Sequence, residues 1–115
     1  APVTSWRYYD TIYTEIYNGL PQDFPAGYDE NSPLNFEEKL SPRTRLLLIH
    51  GTGDDNVHYQ SCEMMVNELI RHGKVFSQIS YPMRSHSINE RPGTTFHLRK
   101  SMVDYWTKNL PAGGK

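Results

Sequence analysis

The run Leu46-Leu47-Leu48-Ile49 is closed by Pro42 on one side and by His50-Gly51-Thr52-Gly53 on the other. A short, unbroken apolar stretch between turn residues is what a strand covered on both faces requires, and such strands belong to parallel sheets. Residues 45–49 are therefore expected to form a central strand. Downstream, over about residues 59–72, Cys62, Met65, Val66, Leu69 and Ile70 fall at i, i+3, i+4, i+7 and i+8, with Gly73 placed to close a helix. Residues 75–81 then alternate between Val75, Ser77, Ile79, Tyr81 and Phe76, Gln78, Ser80, which suits a second strand. Strand, helix, strand in that order predicts a parallel pair joined by a right-handed crossover. Two parallel strands leave much of their backbone and both faces short of partners, so further strands are expected before Ala1. The fold class is α/β.

Elsewhere the pattern is helical or irregular. Trp6, Tyr9, Tyr13, Ile16 and Tyr17 recur at three- and four-residue steps, which predicts one helix over residues 5–18, ended by Gly19 and Pro21. Residues 21–33 are rich in Pro, Gly, Asp and Asn and read as a surface loop. A helical turn capped by Ser32 is expected to follow, with Leu34, Phe36 and Leu40 facing inward. Leu98, Met102, Tyr105, Trp106 and Leu110 form the inward face of a last helix over residues 94–110. Residues 1–110 then make one domain part, and residues 111–115 a loose tail.

Composition excludes several partners. The 115 residues carry a formal charge of -1 with both signs interspersed, so nothing points to nucleic acid or to an anionic membrane surface. The longest apolar run is far short of the roughly 20 residues that cross a bilayer. With 37% hydrophobic residues and a mean hydropathy of -0.69, the core must come from the few concentrated segments above. The one cysteine, Cys62, excludes an internal disulfide and says nothing of compartment.

In α/β sheets reactive groups collect beyond the carboxyl ends of the strands. Here the first strand is followed by Asp54, Asp55 and Asn56, and the second by Pro82-Met83-Arg84-Ser85-His86. Adjacent strands lie about 4.8 Å apart, so an Asp-to-His hydrogen bond between these loops is within reach. In α/β-hydrolases the triad runs Ser, Asp or Glu, then His, with the histidine just before the final helix. A serine hydroxyl needs a neutral imidazole to take its proton, and the imidazole needs a carboxylate to fix its tautomer and offset its charge. On spacing alone either Asp54 or Asp55 could be that acid. The Gly-x-Ser-x-Gly elbow that would carry the nucleophile does not occur in these residues. His50, at the strand end, reads as a hydrogen-bonded structural residue. His58, His72 and His97 read as surface or helix-end residues. His50, Asp54 and His58 match no common zinc spacing, so no metal is expected.

The stretch Leu46 to Gln60, LLLIHGTGDDNVHYQ, together with Trp6, Tyr9 and Tyr13 in APVTSWRYYDTIYTEIY, resembles the C-terminal end of the hydrolase domain in the dipeptidyl peptidase IV group of the prolyl oligopeptidase family. The resemblance covers nearly the whole chain. It implies that Asp54 is the triad aspartate and His86 the triad histidine, with Asp55 left to cap the next helix. It implies that Asn56 helps hold a substrate carbonyl, and that Val3, Trp6, Tyr9, Tyr13 and Val57 line the pocket for the residue before the scissile bond. Where the family pattern has Gly-Ile after the histidine, this chain has Ser87-Ile88.

The implied fold is the late part of an α/β-hydrolase sandwich, lacking its early strands and its elbow. The implied activity is release of N-terminal dipeptides after Pro or Ala, without a cofactor. The implied partners are a peptide substrate, the rest of the catalytic domain, an upstream β-propeller and, in the full-length protein, a second copy. The implied setting is periplasmic, secreted or membrane-anchored on the outside of a cell. A tripeptidyl peptidase of the same family, or an inactive relative kept as an interaction subunit, is the alternative.

Overall fold

The computed structural model describes residues 1–110 and 113, so most of the expected tail lies outside the described residues. The apolar run becomes strand β1, Leu47–Gly51, and the alternating segment becomes β2, Ser77–Tyr81. They pair in parallel, from Leu47 opposite Ser77 to Gly51 opposite Tyr81. Both strands thus end at the same level, and the loops that follow them leave side by side.

Among the described residues, four α-helices accompany the sheet: α1 Thr11–Asn18, α2 Pro25–Asp29, α3 Tyr59–Arg71 and α4 Thr94–Asn109. Helix α3 forms the crossover between the strands and stops where its pattern says it should, with Gly73 at φ 61°. Its Cys62 and Leu69 are fully buried and pack with Leu48 of β1, and Leu46, Met65, Val66 and Phe76 close around them. Ile70 departs from the expected stripe and stands exposed, because it sits at the edge of the face that meets the sheet.

The amino-terminal aromatic segment is not one helix. A 3-10 turn, Trp6–Tyr8, is followed by extended backbone at Tyr9, and α1 begins only at Thr11. The break is made by Asp10, whose carboxylate accepts the Tyr13 amide at 2.8 Å and so starts a new helix. The aromatic rings nevertheless form a ladder, with centroids 6.3 Å apart for Trp6 and Tyr9, 5.7 Å for Tyr9 and Tyr13, and 4.8 Å for Tyr13 and Tyr17.

The expected loop contains α2, which starts at Pro25, where a proline ring costs no hydrogen bond. Arg7 grips Asp29 at the end of α2 through two bonds of 2.6 and 2.7 Å, tying the two segments together. Ser32 does not cap the 3-10 turn Pro33–Asn35; its hydroxyl donates to the Tyr28 carbonyl and accepts from the Trp6 amide. Phe36 is exposed rather than inward. Thr4, fully buried, donates to the Ser61 carbonyl at 2.7 Å and seats the amino-terminal strip against α3.

Helix α4 also departs from its pattern. Leu98, Met102 and Tyr105 are half-buried, whereas Trp106 and Leu110 are exposed, along with Phe96 and Val103. An open cleft of about 520 Å³, lined in part by Leu46, Phe76 and Tyr105, separates its carboxyl-terminal half from the strand starts. His97 is not isolated on the surface: its Nδ1 lies 2.8 Å from the Tyr81 hydroxyl and pins the start of α4 to β2.

Candidate active site

Two loops leave the carboxyl ends of β1 and β2 and are laced together. The Thr52 amide donates to the Tyr81 carbonyl at 2.9 Å, the Gly53 amide to the Arg84 carbonyl at 3.1 Å, and the Met83 amide to the Thr52 hydroxyl at 2.9 Å. The register of a parallel pair thus continues past the strands as loop-to-loop bonds. This lacing brings together Asp54 and His86, which are 32 positions apart in sequence.

His86 Nδ1 lies 2.9 Å from Asp54 Oδ2. The aspartate side chain is fully buried and that of the histidine is 45% exposed. Asp54 Oδ1 accepts the amides of Asn56 and Val57, each at 2.9 Å. Burial alone would raise this carboxyl's pKa; the His86 bond and the two amides outweigh it and hold the group below its ordinary value. The result is a fixed carboxylate that stays ionised beside the imidazole.

The two neighbouring acids are thereby distinguished. Asp54 points inward and also accepts the amides of Asn56 and Val57 in the turn, whereas the sequence expected Asp55 to cap the next helix. Asp55 caps nothing at α3, whose first turn follows His58 without a side-chain cap, and it faces an open cleft. That cleft, of about 470 Å³, is lined by Tyr8, Tyr9, Asp10, Thr11, Asp55, Asn56 and His58. Asn56 and Tyr9 therefore share one concavity. Val57 is buried, Val3 and Trp6 are half-buried, and Tyr13 is exposed on α1 next to Tyr9 in the aromatic ladder. Val3, Trp6, Tyr13 and Val57 do not border that cleft.

Three residues matter here that the sequence pattern did not single out. Gly51 ends β1 where the Arg84 and Ser85 carbonyls pass against it; a glycine closing a strand is the one local hint of such an approach. Glu90 accepts the Ser85 amide at 2.9 Å and the Asn89 amide at 3.1 Å, clasping both ends of the His86 loop. Hydrogen bonds from Ser85 and from nearby backbone amides bring its carboxyl down to about 2. Arg84 anchors the same loop to the buried Thr94 hydroxyl at 3.2 Å. Met83, Ile88 and Arg91 hold positive φ angles of 54°, 48° and 67° in this region. Ser87 does not, so its backbone asks for no glycine where the family pattern has one. Among the described residues, no three His, Cys, Asp or Glu side chains converge in a way that could hold a metal ion.

A parallel α/β frame with a buried carboxylate bonded to a half-exposed imidazole, on loops after successive strands, is the arrangement of serine hydrolases. The profile of the prolyl oligopeptidase family matches residues 1–112, and the chain belongs to that family. Within it the chain is similar to dipeptidyl peptidase 4 proteins. It is 38% identical to the venom dipeptidyl peptidase 4 of Vespula vulgaris over 109 residues, 93% of this chain and 14% of that protein. It is 45% identical to the probable dipeptidyl-aminopeptidase B of Aspergillus oryzae over 89 residues, 76% of this chain and 10% of that protein. The crystal structure of Porphyromonas gingivalis dipeptidyl peptidase 4 superposes with a TM-score of 0.89 at 32% identity, covering 95% of this chain and 15% of that one. The chain thus spans between about a tenth and a seventh of the length of these relatives.

Proposed function

We propose that these residues supply the acid and the base of a serine peptidase that releases dipeptides from free N-termini after Pro or Ala. The observation that carries the reading is the 2.9 Å contact between His86 Nδ1 and the buried Asp54 carboxylate. With Nδ1 donating to Asp54, the lone pair of His86 resides on Nε2. That atom takes the proton of the attacking serine hydroxyl as the new C–O bond forms on the substrate carbonyl. It then gives the proton to the departing amine as the peptide C–N bond breaks, leaving an acyl-enzyme that water hydrolyses by the same route. Asp54 stays ionised throughout and offsets the imidazolium.

The serine comes from the rest of the catalytic domain, since these 115 residues hold no Gly-x-Ser-x-Gly elbow. In this reading residues 1–110 are the last part of a three-layer α/β-hydrolase domain, and its other strands cover what is open here. Asn56 donates to a substrate carbonyl, a role supported by its place in the cleft with Tyr9. Val3, Trp6, Tyr9, Tyr13 and Val57 line the pocket for proline or alanine. An upstream β-propeller grips the substrate amine, and two copies of the full-length protein associate. Dipeptide release is supported by the names of the relatives, dipeptidyl peptidase 4 and dipeptidyl-aminopeptidase B.

The test is turnover of Gly-Pro-p-nitroanilide by the full-length protein, free of host peptidases, beside its His86→Ala variant. The proposal expects release in the first and loss of at least three orders of magnitude in the second, roughly the cost of removing a triad member. Equal turnover by both would end it.

A further inference from the structure

His50 is the last buried side chain of β1, with no exposed surface, and it touches the site from beneath. Its Nε2 lies 2.7 Å from the Val57 carbonyl and 3.1 Å from Asp54 Oδ2. Nδ1 has no partner. The edge-on contact with the Tyr59 ring, 5.4 Å between centroids, closes the ring in from one side.

The tautomer follows from these neighbours. A proton on Nε2 faces a carbonyl oxygen and a carboxylate oxygen, both acceptors, and leaves only a lone pair unpaired on Nδ1. A proton on Nδ1 would instead bury an unpaired N–H and set a lone pair against two oxygens, which costs far more. Burial lowers the pKa of the imidazole and keeps it neutral, with the Val57 carbonyl acting against that shift. His50 is therefore a fixed donor rather than a second base.

Resting on the Asp54–His86 reading, we propose that His50 is a positioning residue for the reaction: its Nε2–H donates to the Val57 carbonyl, and with Nε2 3.1 Å from Asp54 Oδ2 it holds the triad carboxylate in register with His86. The hold is double. Val57, whose carbonyl accepts the hydrogen bond from His50, also donates its own amide to Asp54 Oδ1 at 2.9 Å. Oδ2 in turn sits between two imidazoles, His50 at 3.1 Å and His86 at 2.9 Å. A carboxylate surrounded in this way neither rotates out of line nor takes the proton that His86 must hand on to the leaving group.

Three variants of the full-length protein test this. His50→Phe removes the donor while keeping a ring, His50→Gln carries an amide N–H to about the Nε2 position, and His50→Asn stops about one bond short of it. We expect His50→Phe and His50→Asn to lower kcat on Gly-Pro-p-nitroanilide by roughly 10- to 100-fold, the worth of one hydrogen bond to a charged group, with KM little changed. His50→Gln should recover most of that loss. The Asp54 carboxyl, followed by 13C NMR titration, should titrate at higher pH in the Phe and Asn variants than in wild type and Gln. Should the Phe variant fail to fold, the Gln and Asn pair carries the comparison, since both place an amide in the same cavity. Equal loss in Gln and Asn with an unmoved Asp54 titration would overturn the proposal and leave a structural role. An inactive wild-type protein in which the Asp54 titration still responds to His50 would instead refute the peptidase reading alone.

Discussion

Gly51 lies directly against the backbone of the histidine loop: a Cβ built there would sit 2.7 Å from the Ser85 carbonyl oxygen and closer still to that of Arg84. The neighbour is main chain, which cannot swing aside as a side chain can. Gly51→Ala should therefore push the His86 loop off the Asp54 loop. We expect at least a 100-fold loss of kcat/KM in the full-length protein and a destabilisation of about 1–3 kcal/mol, as overpacking produces elsewhere. Steady-state kinetics and denaturant unfolding check both.

Asp54 and Asp55 should differ sharply. If Asp54 is the triad acid as proposed, Asp54→Asn leaves the shape and removes the charge that offsets the His86 imidazolium, so turnover should fall by roughly 10⁴-fold, as for the triad aspartate of serine proteases. Asp55 faces the open cleft and bonds none of these groups, so Asp55→Asn should stay within about threefold of wild type. Measured kcat for the pair tells them apart, and equal losses would reassign the acid.

Glu90 links acidity to the order of the histidine loop. Its folded carboxyl titrates at about 2, below the ordinary value of 4.5, so it contributes stability that is fully present above about pH 4.5 and lost as pH falls towards 2. Asp54, also depressed, acts in the same direction. Glu90→Gln keeps the shape but weakens the bonds to the Ser85 and Asn89 amides. The melting temperature of the variant should fall less steeply than that of wild type between pH 4.5 and 2, and should be lower at pH 7. Thermal melts across that range read both.

The aromatic ladder allows the proposed pocket to be tested apart from the chemistry. Tyr9→Ala and Tyr13→Ala should lower kcat/KM for proline substrates, because the ring they would pack against loses its support. The Phe variants of Tyr8, Tyr9 and Tyr13 should keep most activity. An intact proline preference in Tyr13→Ala, or damage from Tyr8→Ala alone, would redraw the pocket while leaving the Asp54–His86 pair in place.

The 115-residue chain by itself should be inactive and prone to self-association. Phe96, Val103, Trp106 and Leu110 of α4 and its flank stand exposed, at 52–74% of their full surface, and the two-stranded sheet has open edges. Light scattering and dye binding should report oligomers with accessible apolar surface. A monodisperse monomer with a sharp cooperative melt would count against this.

Much of the frame was legible along the chain because its signals are local. Leu46–Ile49 with its flanking turn residues specifies β1, the spacing of Cys62, Met65, Val66 and Leu69 specifies α3, and the alternation up to Tyr81 specifies β2. Two parallel strands in that order place Asp54 and His86 on neighbouring loops before any coordinate is known. Periodicity was less reliable at the ends: it ran through Asp10, whose side chain restarts the helix, and it counted Ile70 and Trp106 as core although neither is covered here.

Spacing along the chain left Asp54 and Asp55 equivalent and resemblance alone separated them; the tertiary structure shows which one turns inward, because identical side chains one residue apart differ only in the direction the backbone gives them. It likewise decided that His50 and His86 meet the same carboxylate oxygen from positions 50 and 86, and that Gly51 must leave room for a carbonyl from a loop more than thirty residues away. Such pairings are set by how closely two segments approach in space, and nothing in the local order of residues records that distance.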